Sequence, residues 1–173
     1  MNYLDIKRCN MVNGTGLRTV IWVAGCERKC PGCFSPYTHD FTAGIKFDEK
    51  AKEELFRDSN EDWCAGITLL GGEPLHDANF AEVLAIAKEH KKRFPNKTIW
   101  LYTGYTYNDI INDAVRVEIL NYVDVLCDGP FIKELKDPKL HWVGSSNQNV
   151  IDISKRISQV RKIIRYNTGQ IVC

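Results

Sequence analysis

Apolar residues in this chain fall into short, dense runs, separated by stretches in which they recur every third or fourth position. The first strong run, Arg18 to Ala24 (RTVIWVA), is rich in β-branched and aromatic residues and ends at Gly25. Such a run reads as a strand buried on both faces. Gly66 to Leu70 (GITLL), Thr98 to Tyr102 (TIWLY) and Val123 to Cys127 (VDVLC) are three more. Between the runs the period lengthens. Asp48 can cap a helix reaching about Arg57. A second helix starts near Asp77, where Phe80, Val83, Leu84 and Ala87 form one helical stripe before Pro95 ends it. A polar turn at Thr106 to Asp109 opens a helical region through about Tyr122. Past residue 150, ISKRISQVRKIIRYN sets Ile153, Ile157, Val160 and Ile164 on one side and basic residues around them, which predicts a C-terminal helix.

Repeated strand-then-helix order implies parallel strands joined by right-handed crossovers, hence an α/β fold that is an open sheet or part of a barrel. A full barrel of eight such units takes about 250 residues, so 173 residues predict a shortened, open (βα) partial barrel. One domain is expected over 1–150, with 151–173 a helical extension of it. Chemistry in such folds collects at the C-terminal ends of the strands. Here those ends carry the cysteines after the first run, Gly71-Gly72-Glu73-Pro74, Thr103-Gly104-Tyr105 and Asp128-Gly129.

Composition narrows the classes. Apolar residues at 44% and charged residues at 26% exclude a disordered chain. With 23 basic against 22 acidic residues there is no global field to draw nucleic acid or an anionic membrane. No stretch reaches the roughly 18 apolar residues of a membrane span, and the N-terminus has no signal-peptide core. A cytoplasmic protein without nucleic-acid or membrane partners is expected. The seven cysteines are odd in number and irregular in spacing, a poor disulfide framework.

Three of them carry the chemistry. Cys26-Glu27-Arg28-Lys29-Cys30-Pro31-Gly32-Cys33 puts three thiolates on one loop, close enough to hold three corners of a cubic iron-sulfur cluster. The fourth iron would lack a protein ligand and could chelate a small molecule. The competing reading is structural zinc completed by His39 or Cys64, but four-ligand zinc sites come as two ligand pairs, and only Cys30 and Cys33 form one. Cys64 and Cys127 lie in or beside apolar runs and read as packing residues. Arg18 and Lys29 could position a partner or the carboxylate of a ligand, or simply be solvated, and His76 reads as a loop histidine.

The spacing CxxxCxxC resembles that of the radical S-adenosylmethionine (SAM) superfamily, and Gly71-Gly72-Glu73 resembles its GGE motif. Further segments narrow the resemblance: Val12-Asn13-Gly14-Thr15-Gly16-Leu17-Arg18, Cys30-Pro31-Gly32-Cys33-Phe34, Trp100-Leu101-Tyr102-Thr103-Gly104-Tyr105, Asp128-Gly129-Pro130-Phe131 and Trp142-Val143-Gly144-Ser145-Ser146-Asn147-Gln148. Over residues 1 to about 150 the chain looks like the activating-protein family of anaerobic ribonucleotide reductases.

That resemblance implies a [4Fe-4S] cluster on Cys26, Cys30 and Cys33, with SAM on the open iron through its amino and carboxylate groups. It places the SAM ammonium at Gly71, Gly72 and Glu73 and the adenine near Gly32, Cys33 and Phe34, with contacts from Thr103 and Asp128; a turn-capping role for Asp128 stands beside this. The implied activity is reductive cleavage of SAM and formation of a glycyl radical on the large subunit of the reductase, with flavodoxin or ferredoxin as electron donor. No side chain is assigned as catalytic, because the cofactors carry the difficult chemistry. Thr15 stands where relatives often have proline, Gly32 where many radical SAM enzymes have an aromatic residue, and Pro130 where lysine is frequent. The rival readings are an activase of another glycyl radical enzyme, a small-molecule radical SAM enzyme, and a metal-binding module without catalysis.

Overall fold

The structure, a computed structural model, describes residues 1–153 and 155. Among these residues seven strands and three α-helices follow in the order β1 (Asn2–Asn10), β2 (Leu17–Val23), β3 (Ile45–Lys46), α1 (Glu49–Phe56), β4 (Cys64–Gly71), α2 (Asp77–Arg93), β5 (Thr98–Tyr102), α3 (Tyr107–Ile111), β6 (Val125–Asp128) and β7 (Asn149–Asp152). They make one sheet in the order β3-β1-β2-β4-β5-β6-β7. The four apolar runs are its centre, β2, β4, β5 and β6, all mutually parallel. The all-parallel expectation needs correction at the edges, because β1, β3 and β7 run antiparallel to their neighbours. Since β3 and β7 do not pair, the sheet stays open.

Two helical expectations also change. The region 106–122 is not continuous: α3 stops at Ile111, where the Asp113 carboxylate accepts from the amides of Val115 and Arg116 and turns the chain into a 3-10 segment, Arg116–Asn121. At the C-terminus Ile151 and Asp152 belong to β7; residue 154 and residues 156–173, most of the predicted terminal helix, lie outside the described residues. Asp48 caps α1 as read, accepting from Ala51 N, and within the polar turn Thr106 forms a capping box with Asp109. No described helix is long and apolar enough to cross a membrane.

Alternation along the central strands gives the sheet two different faces. Ile21, Val23, Ile67, Leu69, Ile99, Leu101 and Leu126 pack with Leu55, Val83, Ile86, Ile110 and Ile119 in one core, each contributing roughly 1.5–3 kcal/mol by burial. Arg18, Trp22, Thr68, Leu70, Thr98, Trp100, Tyr102 and Cys127 occupy the alternate positions, a face of aromatic and polar residues. Arg18 is fully buried there, so it is no solvated loop cation. Its Nε donates to Thr68 Oγ1, one terminal nitrogen to Thr15 O and Thr98 Oγ1, and the other to Ile67 O and Thr98 O, at 2.7–3.0 Å. All five donors of the guanidinium are satisfied, none by a carboxylate. Burial lowers its pKa to about 10, and it stays charged at neutral pH.

Candidate functional site

A cavity of about 420 Å³ opens at the C-terminal ends of β2, β4, β5 and β6, within the size range of small-molecule sites. Cys26, Cys30 and Cys33 line it together with Gly71, Gly72, Glu73 and Thr103. Two motifs far apart in sequence therefore meet in one place. The cysteine loop leaves β2 through Gly25 and is fixed by backbone bonds, Gly25 N to Thr38 O at 2.7 Å and Cys26 N to His39 O at 3.1 Å. Cys33 N closes a turn on Cys30 O at 3.0 Å, and Ser35 N donates to Cys33 Sγ at 3.4 Å. Burial pushes the Cys26 thiol up, opposed by the amides of Arg28 and Lys29.

The donor set is three cysteines on one loop, the ligand type of iron-sulfur clusters. Among the described residues no group of three His, Cys, Asp or Glu side chains stands together as ligands of one metal ion. Cys64 begins β4, about 23 Å along the strand from Gly71, which removes it as a fourth ligand. Cys9 is exposed near the same far end, beside Asn10, which pairs with Arg18. One polar atom of a cavity-lining residue, His39 Nε2, is buried without a hydrogen-bond partner. In a native fold such atoms mark where another molecule completes the bonding. The Tyr102 hydroxyl lies against the Cys127 thiol, which burial pushes up to about 12; Cys127 is therefore a neutral wall residue.

Glu73 is 2% exposed and organises the site. Its Oε1 accepts from Thr103 Oγ1 at 2.6 Å and Leu75 N at 3.1 Å. Its Oε2 accepts from Gly104 N at 2.8 Å and Arg28 Nε at 3.3 Å. One carboxylate thus ties the cysteine loop to the loops after β4 and β5. Gly72 is required by the same packing, since a Cβ there would strike the Gly25 carbonyl. At Gly104 a Cβ would run into the Arg28 side chain. Because all four partners of Glu73 are donors, Glu73→Gln turns one of these bonds into a donor facing a donor. The expected cost is about 2 kcal/mol, or a Tm lower by roughly 4–8 °C for a domain of this size. A thermal melt within 1 °C of the wild type, on the order of measurement error, would contradict this role.

Not every expected residue reaches the cavity. Phe34 lies at its mouth, 62% exposed and edge-on to Phe131 at 5.1 Å. Gly32 is exposed beside Lys133 and Phe131 and does not line the cavity. Asp128 is also off the wall: Oδ1 accepts from the Asn149 amide and side chain and Oδ2 from Tyr107 N, so it caps a turn. Thr103 lines the cavity, but its hydroxyl is committed to Glu73. The opposite wall was not foreseen. Trp142, Val143, Gly144 and Gln148 come from the long connection between β6 and β7, held by Gln148 Nε2 to Gly129 O and Asn147 Nδ2 to Pro130 O. Val12, Phe34 and Trp142 leave an apolar, exposed rim at the mouth.

Known proteins resemble this chain along most of its length. A family model described as a 4Fe-4S single cluster domain matches residues 12–151. The anaerobic ribonucleoside-triphosphate reductase-activating protein of Pasteurella multocida is 40% identical over 150 residues, 86% of this chain and 95% of the relative. Its counterpart in Escherichia coli K12 is 36% identical over 152 residues, 87% and 97% of the two chains. The protein of that name from Enterobacteria phage T4 is 41% identical over 150 residues, 87% and 93%. The matched stretch contains the cysteine loop, the Gly71-Gly72-Glu73 turn and both walls of the cavity, and this chain belongs to the family of anaerobic ribonucleoside-triphosphate reductase-activating proteins.

Proposed function

We propose that this chain is a radical SAM activase that places a glycyl radical on the large subunit of an anaerobic ribonucleotide reductase. The observation that carries the reading is the meeting of Cys26, Cys30 and Cys33 with the Gly71-Gly72-Glu73 turn in one cavity. In this reading the open sheet is a partial barrel of the radical SAM type, and the cysteines hold three irons of a [4Fe-4S] cluster. When bound, the cluster and SAM supply the electron transfer and the adenosyl radical that abstracts hydrogen from a glycine of the partner.

The chain's own residues bind and orient. Gly72 lines the cavity, and its backbone is the proposed receiver of the SAM ammonium, since the Glu73 oxygens already accept four bonds. Phe34 and the Cys33 turn form the adenine side. Thr103 acts by fixing Glu73, and Asp128 by fixing the turns at Tyr107 and Asn149. The exposed rim of Val12, Phe34 and Trp142 gives a macromolecular substrate access that a sealed barrel would deny. A flavodoxin or ferredoxin is the proposed electron source.

The test is anaerobic incubation of cluster-loaded protein with SAM, a reductant and the cognate reductase. A glycyl radical doublet in electron paramagnetic resonance is expected, with methionine and 5'-deoxyadenosine accumulating. Activation of a different glycyl radical enzyme from the same source, with the reductase left radical-free, would reassign the partner. Absence of SAM cleavage by protein carrying a full cluster would leave a metal-binding module.

A further inference from the structure

We propose that Arg28, on the cysteine loop, is the carboxylate receptor of this cavity and takes the carboxylate of the methionyl arm of SAM. The inference rests on the SAM reading above and deepens it.

The methionyl arm is an amino acid, with one anionic and one cationic group, and the cavity must meet both. Among the described residues lining it, Arg28 is the one Lys or Arg and Glu73 the one Asp or Glu. These two already touch, Arg28 Nε to Glu73 Oε2 at 3.3 Å, but they are committed to different degrees. Glu73 is saturated, whereas Arg28 uses only Nε and keeps two terminal nitrogens with no acceptor among the described residues. A guanidinium with its fork free is matched to a carboxylate, which it binds through two parallel hydrogen bonds.

The fork is held in place. The Arg28 guanidinium carbon lies 4.4 Å from the centroid of the Tyr105 ring, and Arg116 faces the same ring at 4.9 Å. Arg116 is in turn tied to Leu75 O at 2.8 Å and paired with Asp77 and Asp113. Glu73 on one side and Tyr105 on the other leave the Arg28 side chain 32% exposed. Little side-chain entropy remains to be lost when an anion arrives.

The test is a cycle between the residue and the ligand group it is assigned to. Dissociation constants for SAM and for decarboxylated SAM are measured on cluster-loaded wild type, Arg28→Met and Arg28→Lys, with iron content and the visible spectrum recorded for each. Arg28→Met is expected to weaken SAM binding about 10- to 100-fold, the weight of a charge-assisted hydrogen-bond pair, and to change binding of decarboxylated SAM less than about threefold. Arg28→Lys, which keeps the charge without the fork, should fall between, and it carries the comparison if Arg28→Met loses its cluster. Parallel weakening of both ligands would overturn the proposal and leave Arg28 only its link to Glu73 and Tyr105. Wild-type protein with a full cluster that binds neither ligand would refute the SAM reading itself, and the assignment with it.

Discussion

Alanine at Cys26, Cys30 or Cys33 is expected to abolish assembly of the four-iron cluster and all SAM cleavage, while replacement of Cys9, Cys64, Cys127 or Cys173 keeps both. The contrast follows from position. The first three thiols line one cavity on a single loop, and a cube held by three protein ligands loses a corner with any of them. Cys64 is buried at the opposite end of β4 and bonded to Gly66 O, and Cys9 is exposed near the same end. Cys127 is the stringent control because it lines the cavity too. Its thiol, pushed up to about 12 by burial, is protonated at neutral pH, and the thiolate is the form that binds metal. Iron and sulfide analysis with the visible spectrum of reconstituted variants decides the matter. A Cys127→Ala protein without a four-iron spectrum would overturn the three-ligand assignment.

Arg18→Met is expected to lower stability by about 3–5 kcal/mol, a large part of the roughly 5–15 kcal/mol that holds a domain together. Methionine fills much of the volume but offers no donor. Two buried oxygens of β4, Thr68 Oγ1 and Ile67 O, and two part-buried ones, Thr98 O and Thr15 O, would lose their bond to Arg18, the buried pair at about 1–3 kcal/mol each before relaxation. The Trp100 ring 5.7 Å from the guanidinium would lose its cation as well. Arg18→Lys rescues only partly, since three donors on one nitrogen cannot reproduce the planar fork. Urea denaturation is the measurement, and a loss below about 1 kcal/mol, within the range of an ordinary surface change, would show that the network contributes little.

The centre of the fold was legible because strands buried on both faces advertise themselves as unbroken apolar runs. Its edges were not. β1 spans Asn2–Asn10 with a mixed burial pattern and two register shifts against β2, and β7 has four residues, so neither shows a clean period. The two motifs that line the cavity were legible too, since each is carried by residues close in sequence, although their meeting was not. The opposite wall depends on a connection of twenty residues between β6 and β7 folding back across the sheet, and no spacing announces that. Arg18 was misread for a related reason. Its partners lie on β4 and β5, and only the pairing of Arg18 with Gly66 and of Gly66 with Thr98 brings them together.

Glu73 also bears on how the protein comes to hold its cofactor. The cysteine loop is anchored by bonds made within the chain, through the Thr38 and His39 carbonyls and through Arg28 to a carboxylate shared with two other loops. The entropy cost of ordering these residues falls on folding itself and is not left to metal binding. Zinc fingers are the opposite case, in which metal affinity is folding free energy and a chelator denatures the protein. Because the bonds anchoring the cysteine loop need no metal, the loop is expected to hold its shape without iron, and a chelator is expected to strip the cluster without denaturing the protein.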